Sequence, residues 1–245
     1  MFLALAIPAV IFAGISKGGF GAGAAFAATP ILALVVEPAV ALGLMLPLLM
    51  LMDVAAMRVY WRRWDWRCAK VLVLACLPGV ALGAALYRLA DPDLFRLLIG
   101  LMAVGFVAFQ MLRRSGILRL PPTTFSPVKG SLAGFAAGFT SFVSHAGGPP
   151  VAMFLLPLGL SKTAFQATTV VFFWVLNAVK VVPYAFLGFF TLETLIGNVV
   201  LAPFAFLGVW LGVRAHLLVP ERLFFAITYV LLTVTGGRLI WVALT

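Results

Sequence analysis

Ile15-Ser16-Lys17-Gly18-Gly19-Phe20-Gly21-Ala22-Gly23 places a lysine and four glycines inside an otherwise apolar run that extends from Met1 to Val36. A charge set that deep in apolar sequence is costly and by default marks function. A second interruption, Ser144-His145-Ala146-Gly147-Gly148-Pro149-Pro150, lies in the other half of the chain. The pairs Gly18-Gly19 and Gly147-Gly148 are 129 residues apart, and the same offset carries Gly79 onto Gly208, Gly83 onto Gly212 and Leu94-Phe95 onto Leu223-Phe224 without a gap. The chain reads as one unit written twice.

Composition sets the solvent in which this unit folds. Of 245 residues, 64% are hydrophobic and 10% charged, whereas about a quarter of residues are charged in soluble domains. Runs of about 20 apolar residues cross a bilayer as helices, which satisfy their own backbone hydrogen bonds. The expected fold class is therefore an all-α polytopic membrane protein. It is read as two homologous repeats, each a Gly-broken helix or helical hairpin plus three spanning helices. The formal charge of +10 sits in short loops between apolar spans, where it signals cytoplasmic loops and anionic lipid rather than nucleic acid. Cys68 and Cys76 form no metal or redox spacing and read as packing residues, and no metal or cofactor is expected. The start, Met1-Phe2-Leu3-Ala4, lacks a basic n-region, which argues against a cleaved signal peptide.

Residues 2–35 are too many for one spanning helix and too few for two. They fit half-helices Phe2 to Gly14 and Phe20 to Val35, with a turn at Ser16 to Gly19 inside the membrane. Such backbone is tolerated at that depth only where it is buried in protein or lines a cavity. Spans follow at Pro38 to Met57, Ala69 to Leu89 and Leu94 to Leu112, closing a first repeat over residues 1–112. Residues 113–129 carry Arg113, Arg114, Arg119 and Lys129 around Pro121-Pro122 and read as a cytoplasmic linker. The second repeat, 130–245, opens with Gly130 to Val143, then the second break, a short helix Pro149 to Leu158, and spans Phe165 to Phe186, Leu195 to Val213 and Leu223 to Leu244. Eight plain crossings would make the repeats parallel. Hairpins that turn back at each break would make them inverted, and would put the loops holding Arg62, Arg113, Lys162 and Arg214 on the cytoplasmic side with Glu37 and Glu193 outside. The positive-inside rule prefers inversion.

In inverted-repeat transporters, broken helices aim their N-terminal ends at anionic substrate groups near the midplane. Free N–H groups and the helix dipole favour an anion there, and glycine lets it approach the backbone. The candidate substrate-binding residues are accordingly Ser16, Lys17, Gly18 and Gly19 at the first break and Ser144, His145, Gly147 and Gly148 at the second, with Thr168 and Thr169 opening a later span. Lys17 adds a full charge; a snorkelling lysine is the alternative. His145 can donate to an anion or carry a proton, or serve structurally. Serines in apolar helices also bond to backbone. Asp53, Asn177 and Lys180 are candidates for coupling or gating, against a reading of Asp53 and Lys180 as charges near the ends of their spans.

These features resemble the sulfite exporter TauE/SafE family of membrane permeases. The resemblance rests on Gly18-Gly19-Phe20-Gly21-Ala22-Gly23 with Pro30 after it, the Arg-aromatic loop ending in Asp65-Trp66 ahead of Gly79-x-x-x-Gly83, and Ala167-Thr168-Thr169 after the second Gly-rich break. It implies an inner-membrane permease for sulfite, thiosulfate or an organosulfonate. Lys17 and His145 depart from the commoner pattern, which leaves the substrate open. The expected partners are a small anion, the lipid bilayer, protons as coupling ion and, as an open point, further copies of the chain. An anion channel, or a permease for another small anion such as a carboxylate, uses the same basic lining; currents above carrier turnover would favour the channel. An intramembrane enzyme would need a nucleophile with a base, or a metal cluster, and the spacing of two histidines supplies neither.

Overall fold

Apolar spans separated by Pro, Gly and Arg loops give an all-helical chain with no strand among the described residues. The structure is a computed structural model that describes residues 2–20, 25–89, 91–118, 121–218 and 221–245. Helix α1 (Phe2–Ile15) runs into a wide π-helical turn (Ser16–Phe20), and a 3₁₀ turn (Ala25–Ala27) leads into α2 (Ala28–Leu32). Then come α3 (Pro38–Tyr60), α4 (Trp66–Leu89) and α5 (Pro92–Arg114). The remaining helices are α6 (Pro127–Ser144), α7 (Gly148–Leu155), α8 (Lys162–Phe186), α9 (Leu192–Leu218) and α10 (Glu221–Leu244). Seven segments among the described residues are long and apolar enough to cross a bilayer, the first being Phe2–Gly19. The protein is a multi-pass membrane protein.

Several boundaries have local causes. Pro38, Pro92 and Pro127 sit at helix starts, where a missing N–H costs nothing. Asp91 caps α5 by accepting from Leu94 N at 2.7 Å, and Ser161 caps α8 by accepting from Ala164 N at 3.2 Å. Helix α6 starts at Pro127, three residues earlier than the sequence suggested, because Ser126 supplies the cap.

The glycine pairs set the packing. A methyl built on Gly14 would come within 2.8 Å of Gly208, and Gly19 abuts Gly212, so α1 and α9 run side by side in the same direction. Gly134 lies against Leu72, Gly138 against Cys76 and Gly83 against Phe142, which makes α6 and α4 a second parallel pair. Helices α5 and α10 cross antiparallel, with Gly100 against Gly236 and the Phe106 and Tyr229 rings 6.3 Å apart. Small residues at crossings are what dispersion-driven packing in lipid favours. Helix α3 holds the centre: 61% of its span is buried, against 28–44% for the other spans. Outward-facing Leu74, Leu101, Val182, Val199, Val230 and Trp241 leave an apolar belt for lipid. Cys68 and Cys76 are both free and buried, as expected of packing residues.

The first interruption differs from expectation. Ser16 to Gly19 do not form a tight turn; they continue α1 as one widened turn, because Gly18 and Gly19 pack their backbone directly on α9 at Val209 and Gly212. Gly21, Ala22 and Gly23 lie outside the described residues.

Candidate functional site

Asp53 lies four residues past the middle of α3 and Asn177 three past the middle of α8. The two helices cross antiparallel there, as the pairs Asp53–Asn177 and Asp65–Thr168 show. Because α3 continues to Tyr60, Asp53 is an interior charge rather than one near the end of its span. Lys17, on the widened turn, reaches across and forms an ion pair with Asp53 Oδ1; the two side chains are 6% and 1% exposed. Asn177 Nδ2 donates to Asp53 Oδ2 at 2.9 Å. The Lys17 ammonium also stands 5.9 Å from the Phe173 ring centroid.

One helical turn on from Asn177, and so on the same face of α8, Lys180 is completely buried. Its Nζ donates to Ser141 O and Ser141 Oγ, both at 3.0 Å, and to His145 Nδ1 at 2.7 Å. Three ammonium protons meet three acceptors, and none of these acceptors carries a charge. His145 Nε2 lies 3.3 Å from Leu42 O. A carbonyl can only accept, so Nε2 holds the ring proton and Nδ1 is the bare nitrogen facing Lys180. The imidazole is neutral in this arrangement.

His145 is placed by the end of α6. It closes that helix in the left-handed conformation, φ 58°, with its N–H donating to Ser141 O at 2.9 Å and Ala146 N–H to Thr140 O at 3.3 Å. A histidine held at positive φ is uncommon and points to a constrained site. On the far side, Tyr184 Oη donates to Phe142 O at 2.7 Å. The rings of Tyr184, Phe142, Phe189, Tyr87 and Phe95 pack on one another there, with successive centroids 4.5–6.4 Å apart.

A cavity of about 990 Å³ approaches the ion pair from the other direction. Its lining includes Gly18 and Gly19, next to Lys17, and Ala55 and Ala56, two and three residues after Asp53. Arg113, Arg114, Lys162, Gln110, Gln166 and Tyr60 also line it, and no acidic residue does among the described residues.

The structure therefore brings together Lys17, Gly18 and Gly19 of the first interruption, His145 of the second, and Asp53, Asn177 and Lys180. Ser16 is buried within the same widened turn. It does not bring in the other hydroxyls. Ser144 Oγ donates to Thr140 O at 3.2 Å and contacts Met102 Sδ at 3.1 Å. Thr169 Oγ1 donates to Phe165 O at 2.8 Å, and Thr168 Oγ1 donates to Ala164 O at 2.7 Å while accepting from Asp65 N at 2.9 Å. Thr168 thus ties the α3–α4 loop to α8. Gly147 and Gly148 open α7, but the following Pro149 and Pro150 have no N–H to offer, so this helix start presents fewer donors than expected. After the first interruption α2 has only five residues, too short a helix for a dipole of consequence. The charge at the site comes from lysines rather than helix ends. Ser141 was missed, although its place one turn before His145 on α6 is a usable signal. Arg113 and Lys162 were read for topology alone, and Tyr60 and Gln110 were not singled out. Among the described residues no group of three His, Cys, Asp or Glu side chains is placed to hold a metal ion.

Comparison with known proteins gives one match: residues 6–239 fit the model of the family described as Sulfite exporter TauE/SafE. No curated protein and no solved structure matches.

Proposed function

The chain belongs to the sulfite exporter TauE/SafE family of membrane permeases, and from that premise we propose that it is a permease of the bacterial inner membrane for a small sulfur-containing anion: sulfite, thiosulfate or an organosulfonate. The anion binds near the midplane beside Lys17 and Lys180, and access alternates between the two sides. The observation that carries this reading is the charge count of the buried cluster. Lys17 and Lys180 share the buried cluster with the single carboxylate of Asp53, and His145 of the second interruption faces Lys180, so with both lysines protonated the cluster has one cation more than it has carboxylates. A net charge in a low-dielectric interior is unfavourable unless a counter-ion arrives.

Two further features support alternating access. The cavity is lined by Arg113, Arg114 and Lys162 and by Gly18, Gly19, Ala55 and Ala56, chain neighbours of the ion pair, while aromatic rings pack around Tyr184 and Phe189 beside Lys180. Basic loops favour the cytoplasm, so this is an arrangement open inward. Exchanging α1–α5 for α6–α10 also carries the pair α1·α9 into α6·α4 and returns α5·α10 and α3·α8 to themselves. With α4 antiparallel to α5 across their short loop, and α5 antiparallel to α10, the second set of helices runs opposite to the first. That supports two inverted halves around a shared site.

The test is thermal stabilisation of the detergent-purified protein by a panel of sulfite, thiosulfate, sulfoacetate, sulfate, phosphate and carboxylates. A ligand at one hundred times its Kd adds about 2.7 kcal/mol to a fold that alone binds it. The expected result is a shift with a sulfur oxyanion or sulfonate that Lys17→Ala abolishes. A shift with carboxylates alone would overturn the substrate class.

A further inference from the structure

Lys17 has two claims on it. Its ammonium is engaged by Asp53, yet the next residue, Gly18, lines the basic cavity through which an anion would arrive. An anion that binds Lys17 must displace a carboxylate already there. Once displaced, that carboxylate keeps, among the described residues, the neutral Asn177 amide as its direct partner, at a position 1% exposed. A buried carboxylate stripped of its counter-charge neutralises by taking a proton.

We propose that Asp53 is the proton-coupling residue, that the transported species is a dianion, and that one proton enters the site with each dianion. This rests on the reading of the cluster as the anion site. The step balances. A proton from the open side bonds to a carboxylate oxygen of Asp53, the Lys17 hydrogen bond to Asp53 breaks, and Lys17 donates to the incoming anion instead. Asn177 keeps its contact by turning its amide to accept from the new carboxyl O–H. With Lys17 and Lys180 positive, Asp53 protonated and a dianion bound, the cluster is neutral. A dianion entering without the proton would leave it with one negative charge.

The charged and titratable groups facing Asp53 are consistent with this assignment. Lys17 comes from the widened turn and Lys180 from α8, while His145 is engaged with Lys180 at Nδ1 and Leu42 O at Nε2. Helix α9 also packs on α3, but its acidic Glu193 lies in its first turn and Arg214 toward its other end. Among the described residues no other carboxylate pairs with Lys17 or Lys180.

The probe is thiosulfate, which stays a dianion across the neutral range, so every proton counted belongs to the protein. Binding to the purified wild-type protein in weak buffer should withdraw one proton from solution per anion bound. Its affinity should fall tenfold per pH unit on the alkaline side, the slope required when one proton accompanies one ligand. In Asp53→Asn the uptake and the slope should vanish while thiosulfate still stabilises the fold; Asp53→Glu, which can titrate, should restore both. Wild-type binding with no proton uptake and no pH slope would overturn the proposal without need of a variant. So would uptake that persists in Asp53→Asn. Absence of any thiosulfate binding to the wild type is a different result: it would sink the anion-site reading itself.

Discussion

Lys180 is the residue whose presence is hardest to explain by stability. Its ammonium is fully buried and bonded to three uncharged acceptors. Removing a charge from water without an opposite charge beside it costs several kcal/mol, only part of which hydrogen bonds return. Lys180→Met should therefore stabilise the anion-free protein by about 1–3 kcal/mol, read as a higher Tm, while anion binding weakens tenfold or more. A lower Tm with an undiminished anion-induced shift would make Lys180 a structural residue. Ser141 shows why such a centre is only half visible in a sequence. Lys17 and His145 stand out because each breaks an apolar or glycine-rich pattern. A serine in an apolar helix has no such contrast, and its role appears only when α8 brings an ammonium to it. The hydroxyls of Thr168 and Thr169 misled for the complementary reason: each satisfies itself on the carbonyl four residues back.

At the scale of elements, the glycines do two kinds of work that the sequence does not separate. Gly79 and Gly83, Gly134 and Gly138, and Gly208 and Gly212 recur at the four-residue spacing of close helix approach, and each lies against a neighbouring helix. Gly18 and Gly19 were read as a break, yet they pack on α9 and widen the last turn of α1 instead. A break and a contact both call for a missing side chain, so composition alone cannot choose between them. Gly138→Leu would drive its Cβ into the Cys76 backbone, so thermal unfolding should show a loss of about 3 kcal/mol. Gly237 has open space around it, and Gly237→Ala should leave stability level or raise it by up to about 1 kcal/mol. Equal losses at both positions would mean that the α4·α6 crossing is not what these glycines serve.

Seen whole, the molecule brings two interruptions 129 residues apart in the chain to the same helix, α8, one turn from each other. The all-α membrane class and the order of spans were readable from apolar runs. The Lys17–Asp53 pair was not, since it joins residues 36 apart only once the first hairpin closes on α3. The cavity was equally hidden, because its lining comes from several separate segments. The proposed function places a single anion site at this cluster, reached from the basic end. Selenite, the selenium congener of sulfite, locates it directly. Diffraction at the selenium edge from crystals grown with selenite should show one site within hydrogen-bonding reach of Lys17 Nζ, with the Asp53 contact opened. Selenium found only at the cavity mouth beside Arg113 and Lys162, with the Lys17–Asp53 pair intact, would contradict the account.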